Sequence, residues 1–488
     1  MLRKMIAGMG WVSAYSILQM AANLALTMTL ARLLTPEDFG VFALALVFVS
    51  FAQTLAQLGT NAAVVQFREV DPSLKATAFT MVLVGSIVVT AICIFVILGW
   101  LTVVGPEEGQ GARVLGTLWL LMLSLPFFVV ADLLQALYNR DLAFRVPAAT
   151  EFLAFMAGFA GVSLLLSLLG FGSKALVLAY IVQHAMRTAV LFFRLPEKPW
   201  LSFNPGDARR ILHFGVGFSI AKVGNTMALQ ADNLVVGSLL GSAALGLYSR
   251  SYQLVMSPIS LITTIVDRVL FAAMSRRQDD LETLRSAFLL LNGAIFALFV
   301  PLSAIIYEFR REIVLVLLGN NWIGAAMPFG LLAVGLPFRA AYRLSDIVAR
   351  SRGLVYRRAI VQWVYAGCVA LGAALGTVWG LSGVALCVSA VIAVNWVMMT
   401  ALTVHSLKMR TRDVIASMRA SLFTLAIGYM ALAAASWVFG REQGIAAPSI
   451  GTGGLAILAA VLAVALFQPV KTELQAWRTI LKRAKRAG

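Results

Sequence analysis

Residues 31–40 read ARLLTPEDFG and lie between two long apolar runs, one from Gly10 and one through Phe42. A shift of 206 residues brings up a second version, VVGSLLGSAALGLYS, in which Leu33, Leu34 and Gly40 meet Leu239, Leu240 and Gly246, and Phe42 meets Tyr248. The helices leading into the two stretches carry polar residues in phase. Ser13, Ser16, Gln19 and Thr27 align with Ser219, Lys222, Asn225 and Asn233, and Asn23 falls in the same register on the first. Such a stripe in an apolar helix faces either a bundle interior and its polar cross-links or a water-filled cavity.

Composition fixes the setting. Of 488 residues 60% are hydrophobic and 12% charged, and apolar runs near the length of a membrane span recur along the chain. The runs are continuous, which specifies helices rather than alternating barrel strands. The expected fold is an all-α polytopic membrane protein with about fourteen transmembrane helices. Six spans near 10–34, 38–66, 75–101, 113–138, 147–170 and 174–194 make an N-terminal lobe, 1–194. A cytoplasmic connection, 195–207, leads to a second lobe, 208–407, with spans near 208–240, 243–274, 284–307, 322–349, 355–379 and 381–405. Two additional spans, near 414–439 and 448–469, fill 408–470, and a basic tail follows at 471–488.

Equivalent helices are six spans apart, so the lobes share one orientation and relate by an axis along the membrane normal. A second echo supports the duplication. LPF at Leu125 recurs at Leu336, and the motif puts Pro126 and Pro337 inside matched spans, where a missing backbone donor bends the helix. Basic residues such as Arg3, Lys4, Lys75, Arg140, Arg145, Arg209 and Arg210 gather at alternate ends, which places both termini in the cytoplasm. The net charge of +17 is therefore a membrane-topology signal, with anionic lipid rather than nucleic acid as its partner.

Ionisable groups inside spans mark functional candidates, and the reading concentrates them in the second lobe. Lys222 and Asp232 lie on the seventh span. On the eighth, Arg250, Gln253, Ser257, Ser260, Thr264 and Arg268 form one face, and on the tenth Arg339, Arg343 and Asp346 follow at helical spacing. Asp132 occupies the Arg343 position of the first lobe. One reading gathers Lys222, Arg250, Arg339 and Arg343 into a cationic cavity that binds an anion, with Asp232, Asp346 and Asp132 orienting or coupling, and Gln19, Asn23, Asn225 and Asn233 as a polar stripe. The other pairs Lys222 with Asp232 and Arg343 with Asp346 and lets Arg250 and Arg268 reach the interfaces.

Cys93, Cys368 and Cys387 suggest neither a disulfide frame nor a metal site, and His184, His213 and His405 are unclustered and read as residues near helix ends. No phosphate loop, H-E-x-x-H or G-x-S-x-G motif is present, so neither a catalytic residue nor a cofactor is expected.

The stretches ARLLTPEDFGVFALA from Ala31, LGTNAAVVQ from Leu58 and DNLVVGSLLGSAALGLYSRSYQL from Asp232 resemble the polysaccharide-exporter, or oligosaccharide-flippase, family of the multidrug/oligosaccharidyl-lipid/polysaccharide superfamily, nearest its colanic-acid exporter type. The resemblance implies a bacterial inner-membrane protein that moves a polyprenyl-diphosphate-linked oligosaccharide from the cytoplasmic to the periplasmic leaflet, for exopolysaccharide or lipopolysaccharide biosynthesis. H+ or Na+ as coupling ion and other polysaccharide-assembly proteins as partners would accompany that role. A cation-coupled drug antiporter of the same superfamily and a membrane glycosyl polymerase or ligase are the alternatives. An antiporter for cationic drugs would favour an acidic cavity.

Overall fold

The computed structural model describes residues 2–67, 69–104, 110–141, 143–275 and 280–419. Among these the chain is helical throughout. In order the helices are α1 (Leu2–Leu33), α2 (Pro36–Ala56), α3 (Thr60–Gln66), α4 (Pro72–Val104), α5 (Gln110–Met122), α6 (Leu125–Arg140), α7 (Arg145–Leu153), α8 (Val162–Leu168), α9 (Ser173–Arg194) and α10 (Pro205–Leu239). Then come α11 (Ser242–Ser275), α12 (Leu281–Glu308), α13 (Arg310–Leu317), α14 (Ala326–Val334), α15 (Leu336–Ser351), α16 (Val355–Gly376), α17 (Gly380–Ser406) and α18 (Thr411–Ser417). A π-helical stretch, Ala154–Gly161, joins α7 to α8. The expected spans at 414–439 and 448–469 and the tail at 471–488 lie outside the described residues, apart from the first turns at α18.

Six segments among the described residues are long and apolar enough to cross a membrane, up to eight if each of two bent helix pairs is one span. One of the six, Tyr356–Ser406, is 51 residues long and is divided by a 3₁₀ turn at Thr377–Trp379, so it amounts to two passes, α16 and α17. The helices α1, α10 and α11, of 32, 35 and 34 residues, also have the length of a span.

The expected prolyl bends are both present. Gly111–Met122 meets α6 at 42° and Asn320–Val334 meets α15 at 43°. In each case the proline occupies the first turn of the second helix, where its missing N–H is one that would have had no intrahelical partner. Both second helices are 16 residues long and end on a basic turn, Arg140 and Arg350. The expected continuous span at 38–66 is instead broken. α2 ends at Ala56, and Leu58 and Gly59 adopt φ of 47° and 68°, which no helix continues. A Cβ on Gly59 would lie 2.4 Å from Gly215 Cα, so this corner brings its backbone directly onto α10.

The chain forms two compact units. The first comprises the described residues up to Arg250 with Leu315–Ala325 and Ala366–Val384; the second comprises Ser251–Val314, Ala326–Tyr365 and the described residues from Ala385. In the first, α2 packs on α5 and α10, α9 packs on α6 and the π-helical stretch, and α10 also touches α3 and α4. In the second, α12 packs on α14, α15 and α18 around Leu284, Phe288, Leu344, Val348, Leu407 and Val414. Phe296, Phe338 and Trp396 form an aromatic trio, with centroids 5.3–5.7 Å apart.

The stretch 31–40 works as its residue types dictate. Thr35 caps α2 by accepting from the Asp38 N–H at 3.2 Å, Pro36 takes the first turn, and Asp38 accepts in return from the Thr35 N–H at 3.0 Å. Asp38 does more than the sequence suggests: its other oxygen accepts from the Ser173 N–H at 3.0 Å, at the start of α9. Asp38→Ala therefore strips acceptors from two helix ends and should lower stability by about 1–2 kcal/mol, read from thermal unfolding of the purified protein. An unchanged midpoint would mean that solvent replaces both caps.

Candidate functional site

The first unit holds a connected chain of polar and charged side chains inside its apolar helices. Arg187, on α9 and only 7% exposed, donates to Glu151 of α7 at 2.7 Å and to Asp132 of α6 at 3.2 Å, and also to Gln135. Asp132 accepts in addition from the Gln57 amide at 2.9 Å, and the carbonyl oxygen of that amide accepts from the Lys222 ammonium on α10. Gln57 is buried in the last turn before the break that ends α2. Two acids and two cations are thus linked across four helices, with a glutamine carrying the contact from Asp132 to Lys222. Against this chain lies His184, buried between the rings of Phe128 and Tyr180 at 4.9 and 4.3 Å.

Around the repeated stretch the unit has a second arrangement. The Arg250 guanidinium lies 4.4 Å over the Phe39 ring, whose edge meets the fully buried Trp322 at 5.3 Å. Trp322 donates its indole N–H to the Ala31 carbonyl at 2.7 Å. On α10 the buried Asp232 accepts from the buried Tyr248 hydroxyl at 2.9 Å, which ties α10 to the start of α11.

In the second unit α15 presents Arg339, Arg343, Asp346 and Arg350 on one face. Arg339 lies 4.7 Å over the Tyr252 ring, and Arg343 is exposed. The buried Asp346 accepts from Arg350 at 3.0 Å and from Arg358 of α16, while the Tyr342 hydroxyl accepts from Gln362 at 3.2 Å. Arg350 and Arg358 thus converge on Asp346, with Arg339 and Arg343 following on the same face of α15.

Lys222 joins Asp132 through Gln57, Arg250 sits at the repeated stretch with Phe39, and Arg339 and Arg343 share the face of α15. A Lys222–Asp232 pair is ruled out by the helix itself: ten residues on α10 put them about 15 Å apart along the axis. Of the polar stripe, Gln19 and Asn23 are half-buried on α1, Asn225 is exposed on α10, and Asn233 donates to Gln230 at 2.9 Å. The side chains of Ser13, Ser260, Thr264 and Arg268 lie outside the described ones. The first lobe holds ionisable groups inside its spans as well, where Glu151, Arg187 and Asp132 form a connected cluster, and one expectation is corrected: His184 lies mid-helix rather than at an end. Arg187 and Glu151 were open to the rule that flags charges inside apolar spans; Gln57, a neutral residue, had no such signal.

Fold and site together define a multi-pass helical membrane protein with charged groups held inside apolar spans. The chain belongs to the family described as "Polysaccharide biosynthesis protein", whose model matches residues 29–327. It is 25% identical over 333 residues to the lipopolysaccharide biosynthesis protein WzxC of Escherichia coli K12, covering 68% of this chain and 66% of that one. It is 25% identical over 311 residues to the succinoglycan biosynthesis transport protein ExoT of Rhizobium meliloti, covering 62% and 60%. Its fold is that of the lipid II flippase MurJ in an inward closed conformation, at a TM-score of 0.76 and 12% identity over 93% of this chain and 98% of that one. An inward-facing multidrug resistance transporter of the MATE family, in the MOP superfamily, matches at 0.63 and 17% identity over 80% and 94%. The matches to the two curated relatives span 66% and 60% of their lengths.

Proposed function

We propose that this protein is a polysaccharide-precursor flippase that carries a polyprenyl-diphosphate-linked saccharide from the cytoplasmic to the periplasmic leaflet of a bacterial inner membrane by alternating access, with both termini cytoplasmic. The observation that carries this reading is the row of guanidinium side chains, Arg339, Arg343 and Arg350, at helical spacing along one face of α15. A guanidinium grips two oxygens of a phosphate in a fork that an ammonium cannot copy, and a diphosphate headgroup offers several such pairs. Family membership and the names of the relatives, which concern polysaccharide biosynthesis and transport, support the saccharide part of the reading.

The test replaces Lys222 and Arg343 singly with glutamine and scores surface polysaccharide and accumulated lipid-linked intermediate at matched protein level. Export should fall and the intermediate accumulate, with Arg343→Lys keeping partial function because it keeps charge but loses the fork. Normal export by both glutamine variants sinks the proposal. Topology has its own check: a cysteine at Ser202 that reacts with an impermeant reagent in intact cells, while one at Gln110 does not, would invert the orientation.

A further inference from the structure

Between α9 and α10, residues 195–204 do not hang free. Lys75 and Glu197 form an ion pair at 2.8 Å, the Ser202 N–H donates to the Thr80 hydroxyl at 3.1 Å, and the Asn204 N–H donates to the Thr77 hydroxyl at 3.1 Å. Just beyond, Ser73 donates to Asp207 at 2.8 Å. The connection is thus strapped along the first turns of α4. Both α4 and α9 belong to segments apolar enough to cross a membrane, so the strap lies where two spans meet the water boundary.

The side chains that this strap presents outward are not those of a water-facing loop. Trp200, Leu201 and Phe203 are 59%, 66% and 59% exposed, and Phe193, the penultimate residue of α9, is 71% exposed. Lys198 lies 5.7 Å over the Phe193 ring, and Arg194 is exposed beside it. The acids of the segment are already engaged: Lys75, hydrogen-bonded to Glu197, holds that carboxyl below its usual range, and Asp207 accepts from Ser73. What faces out is aromatic and apolar bulk flanked by cations. That combination suits the headgroup layer, where amphipathic rings are favoured and basic side chains meet anionic lipid.

We propose that the strap between the two repeats is an interfacial membrane anchor, with Trp200, Leu201 and Phe203 inserted at headgroup depth and Arg194 and Lys198 binding anionic phospholipid. This rests on the spans alone and stands apart from the choice of transported substrate. The test uses the full chain with Cys93, Cys368 and Cys387 replaced by serine and a fluorophore on Leu201→Cys, in nanodiscs of phosphatidylcholine and phosphatidylglycerol. Either lipid carries a nitroxide quencher on its headgroup. Quenching by the labelled phosphatidylglycerol should exceed that by the labelled phosphatidylcholine. Arg194→Gln and Lys198→Gln should each lower that preference, by up to roughly fivefold per charge removed. Absence of quenching by either lipid would put the strap in water, free for a soluble partner, and overturn the proposal. Equal quenching by both, unchanged in the glutamine variants, would overturn the anionic-lipid part and with it the anchor as stated.

Discussion

Replacing Arg187 with glutamine is expected to lower the stability of the protein by about 3–5 kcal/mol, the range for breaking a buried ion pair by removing one partner. The reason lies in what remains. Asp132 and Glu151 have side chains 25% and 31% exposed, partly withdrawn from solvent, and without Arg187 both carboxylates lose their shared cation, leaving Asp132 the Gln57 bridge to Lys222. Two anions that shared one cation are left uncompensated when it is removed. The measurement is the thermal midpoint of the purified protein in detergent, with added salt as a second axis. A buried cluster should respond little to salt, whereas a solvated one would be screened. Arg187→Gln combined with Glu151→Gln should regain part of the loss, because it removes the surplus negative charge. A single variant that melts like the wild type, or a double variant that melts below both singles, would show that the cluster carries no net coupling of this kind.

Parts of this architecture were legible in the sequence because they are local. Proline at the second residue of α6 and of α15 dictates its own consequence, and the bends of 42° and 43° follow. Thr35, Pro36 and Asp38 announce the start of α2 for the same reason: a cap involves only its first turn. The charge cluster is different in kind. Arg187, Asp132, Glu151, Gln57 and Lys222 come from elements spread over 166 positions of chain, and no periodicity reports which faces of five segments converge. Counting cations favours the second lobe, because Arg187 and Glu151 stand singly in their spans. The break at Leu58 and Gly59 was hidden by apolar residues on both sides, since hydropathy is blind to backbone dihedrals. Helical rise alone separates Lys222 from Asp232, so one continuous helix already excludes that pair.

A comparably large effect is expected from the repeated stretch itself, at Gly40 and Gly246. A Cβ on Gly40 would lie 1.6 Å from the Ser242 carbonyl oxygen, and one on Gly246 would lie 1.7 Å from the Pro36 carbonyl oxygen. The shift of 206 that carries Gly40 onto Gly246 also carries Pro36 onto Ser242, so the two contacts are one contact seen from both copies. That reciprocity is what a two-fold relation between duplicated segments produces where they touch on the axis. The obstacle in each case is backbone, which cannot swing aside as a side chain can, so helix starts must separate. Gly40→Ala and Gly246→Ala are each expected to cost at least about 3 kcal/mol, the upper end for overpacking, and to lower the yield of folded protein. Gly99→Ala in α4, where nothing lies within 4 Å, is the control and should be neutral or stabilising by up to about 1 kcal/mol, since alanine is the better helix former. The double variant carries the sharper prediction. Once one alanine has forced the helices apart, the second meets less resistance, so the pair should cost clearly less than the sum of the two singles. Additive losses would mean that the two glycines act at separate places, and the shared contact between the copies would then be wrong.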